Sequence, residues 1–153
     1  MAEKLTFSID TGDGEPKDVV IKLRPDLAPN HVERIAELAG EGFYDGVVFH
    51  RVIAGFMAQG GDPTGTGMSG SDKPDLKQEF NDAPHKEGTC SMARTMDPNS
   101  ANSQFFICLD DAGFLDRQYT VWGEVESGMD VVHAIPKGEP PANPGKIVKA
   151  TVA

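Results

Sequence analysis

No stretch of this sequence approaches the roughly 18 consecutive apolar residues that a membrane-spanning helix needs. The N-terminal run Met1-Ala2-Glu3-Lys4-Leu5-Thr6-Phe7 lacks the apolar core of about 7–15 residues that defines a signal peptide. Cations are also scarce, with 14 Lys and Arg against 24 Asp and Glu, a formal net charge of −10 and no basic run. Nucleic-acid phosphates and anionic membranes are held by clustered Lys and Arg, so neither is an expected partner. The charge serves solubility instead. Cysteine appears only as Cys90 and Cys108, each alone in an apolar segment and outside any Cys-x-x-Cys. They read as buried thiols packing as small hydrophobes, and with no Asn-x-Ser/Thr site the expected location is cytoplasmic. No long exposed apolar stripe calls for a second copy, so a monomer is expected.

What the chain has in quantity is glycine and proline, 17 and 11 of 153 residues, which suit short strands joined by tight turns. The length fits one domain spanning 1–153. Lys4–Asp10 alternates apolar and polar residues, as a half-buried strand does, and Asp18–Leu23 follows across the turn Thr11-Gly12-Asp13-Gly14. Pro29 opens a helix with Val32, Ile35, Ala36 and Ala39 on one face, and Gly40 and Gly42 end it. Val47–Ile53 reads as a buried strand, bent or bulged at Ala54-Gly55 before Phe56–Gln59 continues. Gly60 to Gly88 is irregular, and so long a loop in a compact domain is usually functional. Strands are expected at Thr89–Ala93, Gln104–Leu109, Thr120–Val125 and Lys146–Val152, with a short helix capped by Ser127 and stopped by Pro136. About eight strands suffice to close a barrel filled by its own side chains; a two-sheet sandwich is the alternative.

Most motifs yield to plain accounts. Gly65-Thr66-Gly67-Met68-Ser69-Gly70 matches G-x-G-x-x-G, but Ser71-Asp72-Lys73-Pro74 starts no helix, so a loop with positive-φ turns is expected rather than a nucleotide site. His31, His50, His85 and His133 lack metal-ligand spacing, and no Ser sits in a nucleophile elbow. No metal or cofactor is therefore expected. The run Phe49-His50-Arg51-Val52-Ile53-Ala54-Gly55-Phe56-Met57-Ala58-Gln59-Gly60-Gly61-Asp62 is different, because it carries an arginine inside an apolar strand. Strand alternation puts Arg51 on the face of Val47 and Phe49. A charge so placed is either paired with a carboxylate, carried to the rim, or kept for chemistry, and the segment alone leaves these open. In Ser103-Gln104-Phe105-Phe106-Ile107-Cys108, Gln104 and Phe106 share one face and Phe105 takes the other.

That long run, followed in order by Ser91-Met92-Ala93-Arg94, Asn102-Ser103-Gln104-Phe105-Phe106-Ile107 and Phe114-Leu115-Asp116, resembles the cyclophilin signature over nearly the whole chain. The resemblance implies a closed eight-stranded antiparallel all-β barrel capped by two α-helices, with its site on the outer surface. It implies peptidyl-prolyl cis/trans isomerase activity on proline-containing peptides and on unfolded or folding proteins. It makes Arg51 the catalytic arginine and Phe56, Met57, Phe106 and Leu115 the proline pocket. Gln59 and Gln104 become polar lining, Ala93 and the Arg94 backbone hold the peptide before the proline, and Gly65 lies near a secondary pocket. Phe114, Tyr119 and Arg94 stand where many eukaryotic members have Trp, His and Asn, a combination similar to bacterial members. With no indole N–H at Phe114, only weak cyclosporin binding is expected.

Overall fold

The computed structural model describes residues 3–153; Met1 and Ala2, which begin the N-terminal run read above, lie outside the described residues. Strand β1 (Lys4–Asp10) buries Leu5, Phe7 and Ile9, and β2 (Lys17–Leu23) buries Val19, Ile21 and Leu23. Their antiparallel register sets Leu5 opposite Ile21 and Phe7 opposite Val19, so the apolar alternation of both strands meets on one side. Helix α1 (Pro29–Gly40) follows, then β3 (Arg51–Ile53), β4 (Met57–Gly60), β5 (Thr89–Met92), β6 (Phe105–Cys108), a 3₁₀ turn at Gly113–Leu115, β7 (Val121–Ser127), α2 (Met129–His133) and β8 (Lys146–Val152). The eight strands form one antiparallel sheet in the order β3-β4-β6-β5-β7-β2-β1-β8. Among the described residues no helix is long and apolar enough to cross a membrane.

The expected closed barrel is overstated. The sheet curls, but its edge strands β3 and β8 share no ladder. The gap is spanned just before β3, where Val48 bridges Lys146 and the amides of Gly46 and Phe49 donate to Ile147 and Gly145. This also corrects the strand expected over Val47–Ile53, since regular pairing begins only at Arg51. Phe49 and His50 are both buried, so alternation is broken there, and Arg51 emerges on the exposed side rather than on the face of Val47 and Phe49. Ala54-Gly55 is not a bulge in a continuing strand but a reversal. The Phe56 amide donates to the Ile53 carbonyl, Gly55 takes φ +71°, and Arg51 comes to lie opposite Gln59.

Phe105 sits at the centre of the interior. Its ring stacks on Phe7 at 5.3 Å and meets Tyr44, Phe49 and Trp122 edge to face at 5.6, 6.1 and 6.1 Å. Each fully buried large side chain of this kind contributes about 1.5–3 kcal/mol. Cys90 and Cys108 are buried unpaired thiols, as expected. Gly65 and Gly67 take φ +71° and +84°, the positive-φ turns expected of the glycine-rich loop.

Two helix starts depart from the sequence reading. Gly128 rather than Ser127 precedes α2, at φ +93°, where a Cβ would lie 2.5 Å from the Asp18 carbonyl. In α1, Val32, Ile35 and Ala39 are buried as the pattern requires, yet Ala28 offers no side-chain cap and the first turn holds no acid. Glu79 supplies both from the long irregular segment. Its carboxylate accepts from the amides of Asn30 and His31, at 3.3 and 2.9 Å, and lies 2.6 Å from His31 Nδ1. A carboxylate there satisfies helix amides left without carbonyls and meets the positive end of the dipole. Glu79→Ala is therefore expected to lower the unfolding free energy by about 1–2 kcal/mol, read as a shift in the urea midpoint. An unmoved midpoint would show that the cap contributes nothing.

Candidate active site

The alternation of β4 and β6 builds a second apolar surface on the outside of the sheet. Phe105 and Ile107 face the interior while Phe106 and Cys108 face out, joining Met57 and Ala112. Ile53, Phe56, Ala93, Leu115 and Tyr119 pack around this outer cluster. Above it opens a cavity of about 130 Å³ lined by Arg51, Phe56, Met57, Gln59, Ala93, Arg94, Phe106, Leu115 and Tyr119. The floor is apolar and the Arg51 guanidinium stands at its edge.

Gln104, Gly65 and Phe114 do not line this cavity. Gln104 lines a larger adjoining cavity of about 540 Å³, which shares Gln59, Ala93 and Arg94 with the first. Gly65 lines neither; its amide donates to the Asp62 carbonyl in a turn of the glycine-rich loop, and a Cβ there would face Val48 at 3.2 Å. Phe114 also lines neither and is 68% exposed, its ring tilted against Phe56 at 5.6 Å.

Two of the three readings of Arg51 left open by the sequence, pairing with a carboxylate and a place at the rim, hold at once. Its Nε donates to Glu139 Oε1 at 3.1 Å, and its Nη1 to Gln59 Oε1 at 3.4 Å, yet the side chain is half-exposed beside an open cavity. Gln59 Nε2 in turn donates to Gln104 Oε1 at 3.0 Å, and Gln104 Nε2 donates to the carbonyls of Gly67 and Ser69. Since carbonyls only accept, they orient both amides and turn the Gln59 oxygen toward the arginine. The loop supplying those carbonyls is organised by Asp62. Burial alone would raise its carboxyl, but the amides of Thr64, Ser69 and Gly67 and the Thr64 hydroxyl all donate to it and hold it at about 2.

Arg94 closes the opposite wall. Its Nε and Nη2 donate to the Gln118 carbonyl at 3.1 and 2.7 Å, its Nη1 donates to Thr95 O, and its guanidinium lies 4.6 Å from the Tyr119 ring centroid. Tyr119 stands edge-on to Phe106 at 5.7 Å. Beneath Phe106, His85 stacks at 6.0 Å. His85 Nδ1 lies 3.0 Å from Asp116 Oδ1 and its Nε2 3.0 Å from Ser91 Oγ. Burial holds His85 below its ordinary value, while the His85 amide keeps Asp116 low, so the pair is neutral imidazole beside carboxylate. Nδ1–H then donates to Asp116, and Nε2 accepts from Ser91. The Thr120 carbonyl, also within reach of Ser91, already receives the Met92 amide.

The support beneath the pocket escaped the sequence reading, which left His85 among four histidines without metal-ligand spacing and gave no role to Glu139 or Ser91. Glu139 and Arg51 are 88 residues apart, and no local pattern announces such a pair.

The chain matches the family model for cyclophilin type peptidyl-prolyl cis-trans isomerase/CLD over residues 6–152. A probable peptidyl-prolyl cis-trans isomerase of Brucella suis is 52% identical over 151 residues, covering 88% of this chain and 77% of that protein. A peptidyl-prolyl cis-trans isomerase of Synechococcus elongatus is 45% identical over 114 residues, 73% of this chain and 77% of that one. Among solved structures, a cyclophilin from Hirschia baltica superposes with a TM-score of 0.87 at 33% identity, covering 98% of this chain and 73% of that one. A Cryptosporidium parvum cyclophilin-type isomerase, solved in the presence of the dipeptide Ala-Pro, gives 0.87 at 26% identity and covers 98% of both chains. The chain belongs to the cyclophilin-type peptidyl-prolyl cis-trans isomerase family.

His31, His50 and His85 are all pushed below 6.5, in each case chiefly by burial. Their folded forms favour the neutral ring, whereas the unfolded chain takes protons near the ordinary value, so acid favours unfolding. The urea midpoint is expected to be highest above about pH 7 and to fall steadily as pH drops through about 6.5. A midpoint that rises or stays level between about pH 7.5 and 5.5 contradicts this.

Proposed function

We propose that this isomerase turns X–Pro bonds by aiming the Nη edge of Arg51 at the prolyl nitrogen while Phe56, Met57, Phe106 and Leu115 hold the ring. The observation that carries the reading is a partly exposed guanidinium at the edge of an apolar cavity, its Nε and one Nη1 hydrogen engaged by the protein. Its Nη2 has no protein partner among the described residues.

The chemistry follows from the amide. Rotation costs roughly 18–20 kcal/mol because resonance must be broken, and X–Pro bonds alone populate both isomers appreciably. In the twisted transition state the nitrogen regains a lone pair and accepts a hydrogen bond, which it does poorly when planar. A donor aimed there stabilises the transition state over the ground state. Arginine suits the task as an always-charged planar fork that can also hold a carbonyl. The apolar floor excludes water, which strengthens that interaction. Ala93 and the Arg94 backbone would hold the residue preceding the proline, and the larger cavity, with Gln104 and the loop near Gly65, would take side chains further upstream. No covalent bond forms or breaks, so the reaction calls for no metal, cofactor or proton transfer.

Its proposed substrates are proline-containing segments of unfolded or folding proteins, in keeping with the Ala-Pro used with the Cryptosporidium relative. An interior ligand site is disfavoured, because the barrel centre is filled by Phe7, Tyr44, Phe49, Phe105 and Trp122.

Arg51→Ala is expected to lower kcat/KM by about 10²–10³ in a protease-coupled isomerisation assay, and Arg51→Lys to restore little, since a point charge lacks the fork. Activity of Arg51→Ala within twofold of the parent would remove the role assigned to it. A peptide whose NMR resonances shift without faster exchange between isomers would make the chain a binding module instead. At the rim, Phe114→Trp adds an indole N–H to an exposed ring and is expected to tighten a weak affinity for cyclosporin; an unchanged titration would refute that.

A further inference from the structure

We propose that Glu139 is a positioning residue for Arg51, holding the guanidinium by its Nε so that the Nη edge faces the prolyl pocket. The inference rests on the role assigned to Arg51 above.

Arg51 starts a three-residue strand at the end of the sheet, and the cavity floor beside it is apolar. Nothing on that floor can orient a guanidinium, and the free side chain carries about 2 kcal/mol of rotamer entropy. Two acceptors on different elements supply the missing constraint. Gln59 Oε1 takes one Nη1 hydrogen from the neighbouring strand, in the orientation that the Gly67 and Ser69 carbonyls impose through Gln104. Glu139 takes Nε from the other side. Two contacts at separate nitrogens define the plane of the fork, which neither defines alone.

The backbone puts Glu139 there. Gly138 exchanges two hydrogen bonds with Val52, each 2.8 Å, so the segment carrying Glu139 is zipped to the outer edge of β3 one residue from Arg51. Gly138 adopts φ +145°, and a Cβ on it would come within 2.6 Å of Pro141 Cα, so the chain passes at a distance only glycine allows. The mode of contact matters as well. A carboxylate gripping both Nη atoms would consume the edge that meets substrate, whereas a single contact at Nε spares it. Both side chains are about half-exposed, and an ion pair in that setting contributes about 0–1 kcal/mol, too little to neutralise the arginine's pull on a substrate.

The test is a kinetic double-mutant cycle on the full chain, with kcat and KM measured separately on an X–Pro peptide. Glu139→Ala is expected to lower kcat by about 3–10-fold with KM unchanged, as a loosened catalytic group would. Glu139→Gln, whose amide oxygen can still accept from Nε, is expected to recover most of that loss, separating orientation from charge. In an Arg51→Ala background, Glu139→Ala is expected to change nothing further. An equal loss in both backgrounds would assign Glu139 a merely structural part and overturn the proposal, as would wild-type kcat in Glu139→Ala beside an impaired Arg51→Ala. Wild-type activity in Arg51→Ala overturns the reading of Arg51 itself, and Glu139 then has nothing to position.

Discussion

Phe105 and Phe106 are neighbours in sequence and face opposite sides of one sheet. The period of two that sends Phe105 into the interior delivers Phe106 to the outer wall, where it becomes the floor of the pocket. Every other part of the site is arranged around that division. Met57 shares the outer face with Phe106, while Ala58 on the next position turns inward. The pocket thus borrows its rigidity from a core it never enters, because Phe106 is flanked in sequence by Phe105 and Ile107, both locked in close packing.

Onto this apolar floor the fold delivers one cation by long-range means. The reversal at Gly55 sets Arg51 across from Gln59, the Gly138 bridge brings Glu139 alongside, and the loop organised by Asp62 fixes the amides between. Three segments distant in sequence converge on one guanidinium. On the far wall Arg94 does the complementary job, with its donors engaged by the Gln118 and Thr95 carbonyls and its plane against Tyr119. The two arginines differ in what surrounds them: one has all three of its nitrogens engaged by its own chain and the other is left with an edge to offer.

Strand periodicity was plain in the residues because it depends on nearest neighbours, and so was the inward turn of Phe105. Helix α1 was recognisable from Pro29 and its apolar stripe, but its cap was not, since Glu79 lies 48 residues from His31. The short reach of β3 was hidden for a related reason. Val47 and Phe49 look like strand residues, yet they are buried by closing the gap toward β8 rather than by joining the ladder. Of the residues that the resemblance to cyclophilins singled out, Arg51, Phe56, Met57, Gln59, Ala93, Arg94, Phe106, Leu115 and Tyr119 line one cavity, Gln104 lines the adjoining one, and Gly65 and Phe114 line neither. The Arg51–Glu139 and His85–Asp116 pairings that support the pocket carry no local signature, because hydrogen bonds across 88 and 31 residues leave no spacing to find.

The site is carried on the outside of a wall, above strands whose inner faces are already full. A cavity within the barrel would admit only what could be threaded through an opening, which favours small molecules and loose chain ends. A ledge on the exterior can be approached sideways, so a proline far from either terminus of a long polypeptide can be laid across it and lifted away without the remainder of that polypeptide passing through anything.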